Sequence, residues 1–468
     1  MDIAKDIKTI FNKQINNTGN ISLKRRIKYL NDIKNWINSN KTRIIDAHYS
    51  DLRKPVSEIE IAEIWYVLSE IKIAKKNLKN WMKPKKVGAS TLALITAKSW
   101  IHYEPKGVTL IIAPWNFPFN LTLGPVISAL AAGNKVIVKP SEITPNVSQL
   151  IAQMVNDIFE PEEVAVFQGD YNIATELLTY PFNHIFFTGS PHIGKKIMRS
   201  ASKNLSSVTL ELGGKTPTII DETANLDMAV KKIAWGKCIN LGQSCIAPDY
   251  ILIHKDLKEK FIDMLSKKIN DNYGYSFNEK SASLHIARIV NSKHWERLDK
   301  LLTSALKSGA KIVHGGEKNK NDLFIEPTIL DNISFEMDVM KEEIFGPILP
   351  VIPYDNLDKC IELINSKAKP LALYMFSESK NNIDRIISKT SSGGMVINEV
   401  KSHFLNLKLP FGGVNTSGLG RSHGHSGFLE FSNERSILKN GILSMVGLIF
   451  PPYDNFTKRI IWLFTRFF

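Results

Sequence analysis

The period of the apolar positions changes once along the chain, near Gly107. Before it, Ile3, Ile7, Ile10 and Phe11, and later Ile61, Ile64, Trp65, Leu68 and Ile71, recur at helical spacing. Pro84, just after Trp81-Met82-Lys83, stops the last of these helices, and a short two-stranded excursion is expected over 86–106. Beyond Gly107, short apolar runs at 108–113, 135–138, 164–167, 184–188 and 208–212 alternate with amphipathic segments. A second series follows Gly214, with strands expected at 250–253, 311–313, 349–352, 371–376 and 394–397. Runs of this length, apolar throughout, read as strands buried on both faces, and βαβα alternation predicts parallel sheets covered by helices.

The fold class expected is therefore α/β, with two doubly wound domains and a small β element. Residues 1–85 and 107–212 form a Rossmann-like cofactor-binding domain in this reading, 213–427 a catalytic domain, and 86–106 with 428–440 a bridging element. No internal repeat or low-complexity tract interrupts the pattern.

The last stretch, 441–468, differs from the rest. An apolar run at 442–450 is interrupted by Pro451-Pro452, and a second one follows Lys458-Arg459. Both are too short to span a bilayer. Ile460, Leu463, Phe464 and Phe467 share a helical face while Arg459 and Arg466 sit elsewhere, so the tail suits a membrane interface, or equally packing on its own body or a dimer partner.

Composition sets bounds on function. With 468 residues, 43% of them hydrophobic, the chain can bury cores for two or three domains. The net charge of +14 would suit nucleic acid, but the cations are scattered and no basic, aromatic-interleaved motif accompanies them, so no nucleic-acid partner is expected. Three cysteines without paired spacing argue against disulfides and zinc, and favour a reducing compartment. Met1 to Ile7 carries acids and bases where a signal peptide needs an apolar core, so the expected location is cytoplasmic, with the tail allowing peripheral contact with a membrane.

Candidate chemistry is concentrated in a few motifs. Cys245, in Asn240-Leu241-Gly242-Gln243-Ser244-Cys245, is a candidate nucleophile, and Glu211, in Glu211-Leu212-Gly213-Gly214-Lys215, a candidate base. Gly189-Ser190-Pro191-His192-Ile193-Gly194 follows a strand: glycine permits the turn, Ser190 caps a helix, Pro191 suits its first position, and such a helix start can bind phosphate. Taken alone, that spacing describes a structural turn as well as a binding loop. Lys139 and Glu142 leave a strand end toward the same crevice, and Asn116, in Trp115-Asn116-Phe117-Pro118, either donates to an oxyanion or caps a turn. Cys238 and Cys360 lie in helical patterns and read as packing residues; His423 and His425 lack companion ligands, so no metal is expected.

Trp-Asn-Phe-Pro, Lys-Pro-Ser-Glu, Phe-Thr-Gly-Ser, Glu-Leu-Gly-Gly-Lys, Gly-Gln-Ser-Cys, Glu-Glu-Ile-Phe-Gly-Pro (342–347) and Leu-Pro-Phe-Gly-Gly (409–413) occur here in the order found in the aldehyde dehydrogenase superfamily. The chain resembles that family over nearly its whole length. Its short leader, the run 245–250 and Pro451-Pro452-Tyr453 are most similar to the class 3 and fatty aldehyde branch, including bacterial members. The resemblance implies that Cys245 attacks an aldehyde, that the Asn116 side chain and the Cys245 N–H receive the oxyanion, and that Glu211 activates the water that hydrolyses the thioester. It also implies NAD or NADP as cofactor, with Lys139 and Glu142 on the adenosine ribose and Gly189, Ser190 and Gly194 at the pyrophosphate. Glu343 and Phe345 would face the nicotinamide riboside, and His403 the substrate. Glu142 disfavours a 2′-phosphate and so favours NAD. Trp115, Phe117 and Phe119 suggest an apolar channel for medium or long aliphatic, or aromatic, aldehydes. A homodimer is expected from the branch. Two departures from its pattern, Pro191 and Asn415, touch no catalytic group. The alternatives are an acylating enzyme that passes the thioester to coenzyme A, and a non-catalytic membrane-surface protein of the same fold.

Overall fold

The computed structural model describes residues 3–17, 19–90, 94, 96–274, 284–441 and 445–467. Two α/β sheets account for most of it. The first has the order Gly418–Leu419, Ser207–Leu212, His184–Gly189, Val108–Ile112, Lys135–Lys139, Val164–Val166, parallel except for its first strand. The chain fills one half outward from Val108–Ile112 and then returns to add His184–Gly189 on the other side. That reversal opens a crevice beyond the carboxyl ends of these two strands. All five residues of Val108–Ile112 are buried, as expected of a central parallel strand. Fully burying an aliphatic side chain of this kind contributes about 1.5–3 kcal/mol.

The second sheet runs Lys311–His314, Thr328–Asp331, Ile348–Tyr354, Tyr250–His254, Pro217–Ile220, Ala372–Phe376, Gly394–Ile397. Pro217–Ile220 and Thr328–Asp331 are strands that the apolar pattern does not predict. Each has only four residues, each starts at or just after a proline, and threonines break the apolar run. Lys311–His314 pairs antiparallel at the edge, so this sheet is mixed. A third sheet joins Lys85–Val87, Lys98–Pro105 and Ser432–Lys439.

Two features correct the sequence reading. The stretch 407–427, expected in the second domain, belongs in part to the first: Gly418 pairs with Glu211, and Leu407 and Phe428 sit in the same core as the helix Asn120–Ala132. This helix is apolar on all sides and buried except at Gly124, so it needs cover from elsewhere in the chain. Secondly, Ile61 and Trp65 do not face the core with Ile64 and Ile71 but are about half exposed. A π-helical turn at Glu60–Trp65 inserts extra backbone and rotates them outward, and such turns gather at functional sites.

Cys238 and Cys360 are buried in the core of the second domain. Among the described residues no helix is long and apolar enough to cross a membrane, and no three metal-ligating side chains come together. The tail forms a helix at Asn455–Phe467; residues 442–444 and 468 lie outside the described residues.

Candidate active site

A cavity of about 1170 Å³ occupies the crevice and brings together Asn116, Lys139, Glu142, Gly189, Ser190, Glu211, Cys245, Glu343 and Phe345. Local backbone explains how Cys245 arrives there. The helix Leu226–Cys238 ends, and Asn240, Leu241 and Gly242 then take positive φ of 52°, 51° and 74°, turning the chain sharply into the site. Gly242 is required at this bend, since a Cβ would strike the Gly346 carbonyl. Such left-handed non-glycine residues store strain that surrounding contacts must hold. Here Glu58 accepts from the Asn240 N–H at 2.9 Å, and the Asn240 side chain donates to the carbonyls of Asn116 at 2.8 Å and Gln243 at 3.1 Å. Gln243 in turn donates to Asn240 and Arg288 and accepts from the Val290 N–H.

Asn116 is buried and fixed from both ends. Its side-chain Nδ2 donates to the Gln243 carbonyl at 3.1 Å, which leaves the second N–H of the amide for another acceptor. Its carbonyl accepts from Lys54 Nζ at 2.7 Å, and Lys54 also bonds Glu63 at 2.6 Å. Burial by itself would raise the Glu63 carboxyl, but the Lys54 ammonium and His48 hold it down to about 2. This ion pair has no surface exposure, so removal of one partner would leave a buried charge alone.

Glu211 lies on the strand Ser207–Leu212, buried at the cavity wall. Ser422 Oγ donates a short hydrogen bond to Oε1, and Thr188 Oγ1 donates to Oε2 at 3.5 Å. Burial pushes its carboxyl up to about 7, against the pull of these two donors and with a small further push from Glu430. The Cys245 thiol is pushed up to about 12, by burial first and then by Glu343 and Glu211.

The remaining residues form a cradle. Ser190 caps the helix Pro191–Ser202, accepting from the Ile193 N–H at 3.4 Å, with Pro191 in its first turn. Lys139 makes a short ion pair with Glu142 at the rim. Glu343 reaches over Gly213, where a Cβ would meet its carboxylate, so glycine lets the side chain lie in this place. Burial, then the neighbouring Asp249, raises the Glu343 carboxyl to about 8, and its Oε1 has no hydrogen-bond partner. Phe345, at φ 49°, meets Trp115 edge to face at 5.4 Å.

Three of the expected site residues lie off this cavity. Gly194 sits inside its helix, where it gives room to Leu212. Phe117 lies beneath Lys54, 4.2 Å from Nζ to the ring centroid. His403 packs against Phe411 and Tyr374, with both ring nitrogens buried and unpartnered; burial lowers it to about 4. Conversely, several supporting residues escape sequence reasoning. Ser422, 211 positions from Glu211, gives no local signal of its contact. Lys215 does carry one, being in the quoted Glu-Leu-Gly-Gly-Lys motif: it pairs with Asp249 and donates to the carbonyls of Val339 and Glu342, while Asp249 accepts from the Ile344 N–H, so together they fix the Glu343 loop. Asn415, at φ 56°, adopts a left-handed conformation that asparagine tolerates.

Comparison with known proteins accords with this geometry. The model of the aldehyde dehydrogenase family matches residues 5–437. The 4,4'-diaponeurosporen-aldehyde dehydrogenase of Staphylococcus aureus is 44% identical over 455 residues, 97% of each chain. The dimeric NADP-preferring aldehyde dehydrogenase of Rattus norvegicus is 40% identical over 423 residues, 90% of this chain and 91% of that one. A structure of Staphylococcus aureus AldH in a substrate-bound state superposes with a TM-score of 0.92 at 43% identity, covering 98% of this chain and 99% of that one.

Proposed function

The chain belongs to the aldehyde dehydrogenase family, and from that premise we propose that it oxidises apolar aldehydes to carboxylic acids with NAD(P)+ through a thioester on Cys245. The observation that carries this reading is the convergence of Cys245, Asn116 and a Glu211 carboxyl near neutrality on one cavity. Cys245 Sγ adds to the aldehyde carbon as its proton passes to solvent water, and the proton that Glu211 later takes from the hydrolytic water returns to the sulfur. The free N–H of Asn116 and the Cys245 backbone N–H receive the oxygen as it becomes negative, and one such donor is worth about 10²–10³ in rate. The dinucleotide, when bound, supplies the hydride acceptor that turns the thiohemiacetal into a thioester. Glu211 then takes a proton from water, which adds to the thioester carbon; the C–S bond breaks, the acid leaves and the thiol is restored.

The cradle suits a dinucleotide. The orphaned, buried Glu343 Oε1 lacks a partner that a ribose hydroxyl would provide, and the Ser190 helix start lies where a pyrophosphate gains from backbone N–H groups. Lys139 and Glu142, at the rim of the cavity, would hold the second ribose. The rim carboxylate of Glu142 disfavours a 2′-phosphate, which supports a preference for NAD. Apolar substrates are supported by the rings of Tyr66, Phe404 and Phe411: Tyr66 stacks on Phe404 at 4.6 Å, and the half-exposed Ile61, Trp65 and Leu405 adjoin this pair in sequence. His403, packed against Phe411, is assigned to this substrate side.

We assign the third sheet to a homodimer contact, because Lys85–Val87 and Ser432–Lys439 leave mostly exposed edges. The tail is assigned to the surface of an anionic membrane, with the body in the cytoplasm. Phe450, Tyr453, Phe456, Trp462 and Leu463 are exposed there beside Lys458, Arg459 and Arg466.

The test is a panel of aldehydes of increasing chain length, assayed in parallel with NAD and NADP. The expected result is reduced cofactor formation with kcat/KM rising with chain length, larger with NAD, and abolished in Cys245→Ala. No turnover with any aldehyde, or turnover only in the presence of coenzyme A, would refute the reading.

A further inference from the structure

Lys401 is buried, 6% exposed, and among the described residues its Nζ has no hydrogen-bond partner and no ion pair within 4 Å. An amine in that state is costly, and an apolar side chain of similar length would pack there without the penalty. Such a violation points to use rather than packing. Its location gives the use. Lys401 takes a left-handed φ of 59° just ahead of the short helix Ser402–Leu405, and its backbone N–H donates to the Tyr374 hydroxyl. That hydroxyl donates at 2.7 Å to the carbonyl of Ile246, the residue after Cys245. One tyrosine thus ties the lysine to the nucleophile's own loop. The charged and titratable groups around the pair are Glu58, Lys237 and Cys238 on the side of Lys401, and Glu343 and Glu211 on the side of Cys245. Both carboxylates oppose formation of a thiolate, and of these groups Lys401 is the one whose charge favours it at Cys245.

We propose that Lys401 is a positioning residue for the nucleophile, whose buried positive charge favours the Cys245 thiolate against Glu211 and Glu343. The inference rests on Cys245 being the nucleophile of the proposed reaction. Burial lowers the Lys401 ammonium to about 7, against the pull of Glu58 and Cys245, so its charge is present below that pH and fades above it. The lysine thereby supplies an attraction that burial alone denies the thiol. Its retention without a partner reflects a trade of stability for reactivity.

The test is alkylation of Cys245 by iodoacetamide across pH, read by mass spectrometry of the Cys245 peptide, in wild type, Lys401→Met and Lys401→Arg. A nearby opposite charge shifts such a group by one unit or more, so Lys401→Met is expected to alkylate about tenfold or more slowly at pH 6, where the Lys401 ammonium is charged, with the difference shrinking above about pH 7. Lys401→Arg should recover most of the rate. Thermal melts at pH 6 give a second readout: Lys401→Met should melt no lower than wild type, because it removes an uncompensated buried charge. Equal alkylation profiles for wild type and Lys401→Met would overturn the proposal, as would slow alkylation in Lys401→Arg equal to that in Lys401→Met. Should Lys401→Met fail to fold, Lys401→Gln is compared in its place under the same criteria. Alkylation needs neither aldehyde nor dinucleotide, so the result stands whether or not aldehyde oxidation is found.

Discussion

Glu211 has to be a carboxylate to draw a proton from water, yet it sits where burial favours the acid. The balance near pH 7 makes it a base whose strength is usable without being permanently charged in an apolar wall. Because the ionised form is the active one, the rate of thioester hydrolysis should rise with pH through about 7 and level above it, read as kcat against pH under conditions where hydrolysis limits. A flat profile from pH 6 to 8 would deny Glu211 that role. Asn116 makes a separate demand. One of its two N–H groups is spent on Gln243, so Asn116→Ala removes both an anchor of the Cys245 loop and an oxyanion donor. A loss of about 10²–10³ in kcat/KM is expected from the donor alone, with cofactor affinity little changed. At this scale the sequence was legible for Cys245, Glu211 and Asn116, which the structure brings to one cavity, because each sits in a motif of distinctive composition. It was silent on Ser422 and on the bond from Lys54 to the Asn116 carbonyl, whose partners lie 211 and 62 positions away and whose side chains are common on any surface.

Elements bring these groups together by antiparallel closure as well as parallel winding. Gly418–Leu419 pairs with the strand of Glu211, and this fold-back places Ser422 against the carboxylate. Ser422 donation lowers the Glu211 carboxyl, so Ser422→Ala should move the midpoint of the kcat profile toward higher pH and slow turnover below it. An unmoved midpoint would mean the contact is only structural. The apolar runs disclosed most parallel strands, since a strand buried on both faces has a composition unlike any loop. They missed Gly418–Leu419, which is two residues long, and Pro217–Ile220, where proline and threonine mask the run. The π-helical turn at Glu60–Trp65 was equally hidden, because helical periodicity in the sequence does not reveal where backbone is inserted.

At the scale of the whole molecule, the tail combines exposed apolar side chains with neighbouring cations. Its helix Asn455–Phe467 leaves Phe456, Trp462 and Leu463 exposed next to Lys458, Arg459 and Arg466, a combination that gains from both acyl-chain burial and anionic headgroups. The intact chain should float with vesicles containing anionic lipid, detach as salt rises, and lose this behaviour when it ends before residue 442. Equal flotation of the two forms would contradict it. The tail was legible as amphipathic from its spacing, whereas the fold-back of 407–427 onto the first core was not, since no local pattern states which of two cores an apolar segment will cover.

The chemistry assigned to Cys245 and Glu211 separates acylation from hydrolysis, and Glu211→Gln isolates the first. Mixing this variant with NAD and a medium-chain aldehyde in a stopped-flow instrument should give a burst of about one NADH per site, followed by turnover slowed at least a hundredfold, with the acyl group found on Cys245 by mass spectrometry. Absence of both burst and acyl adduct, with Cys245 intact and cofactor bound, would contradict the account.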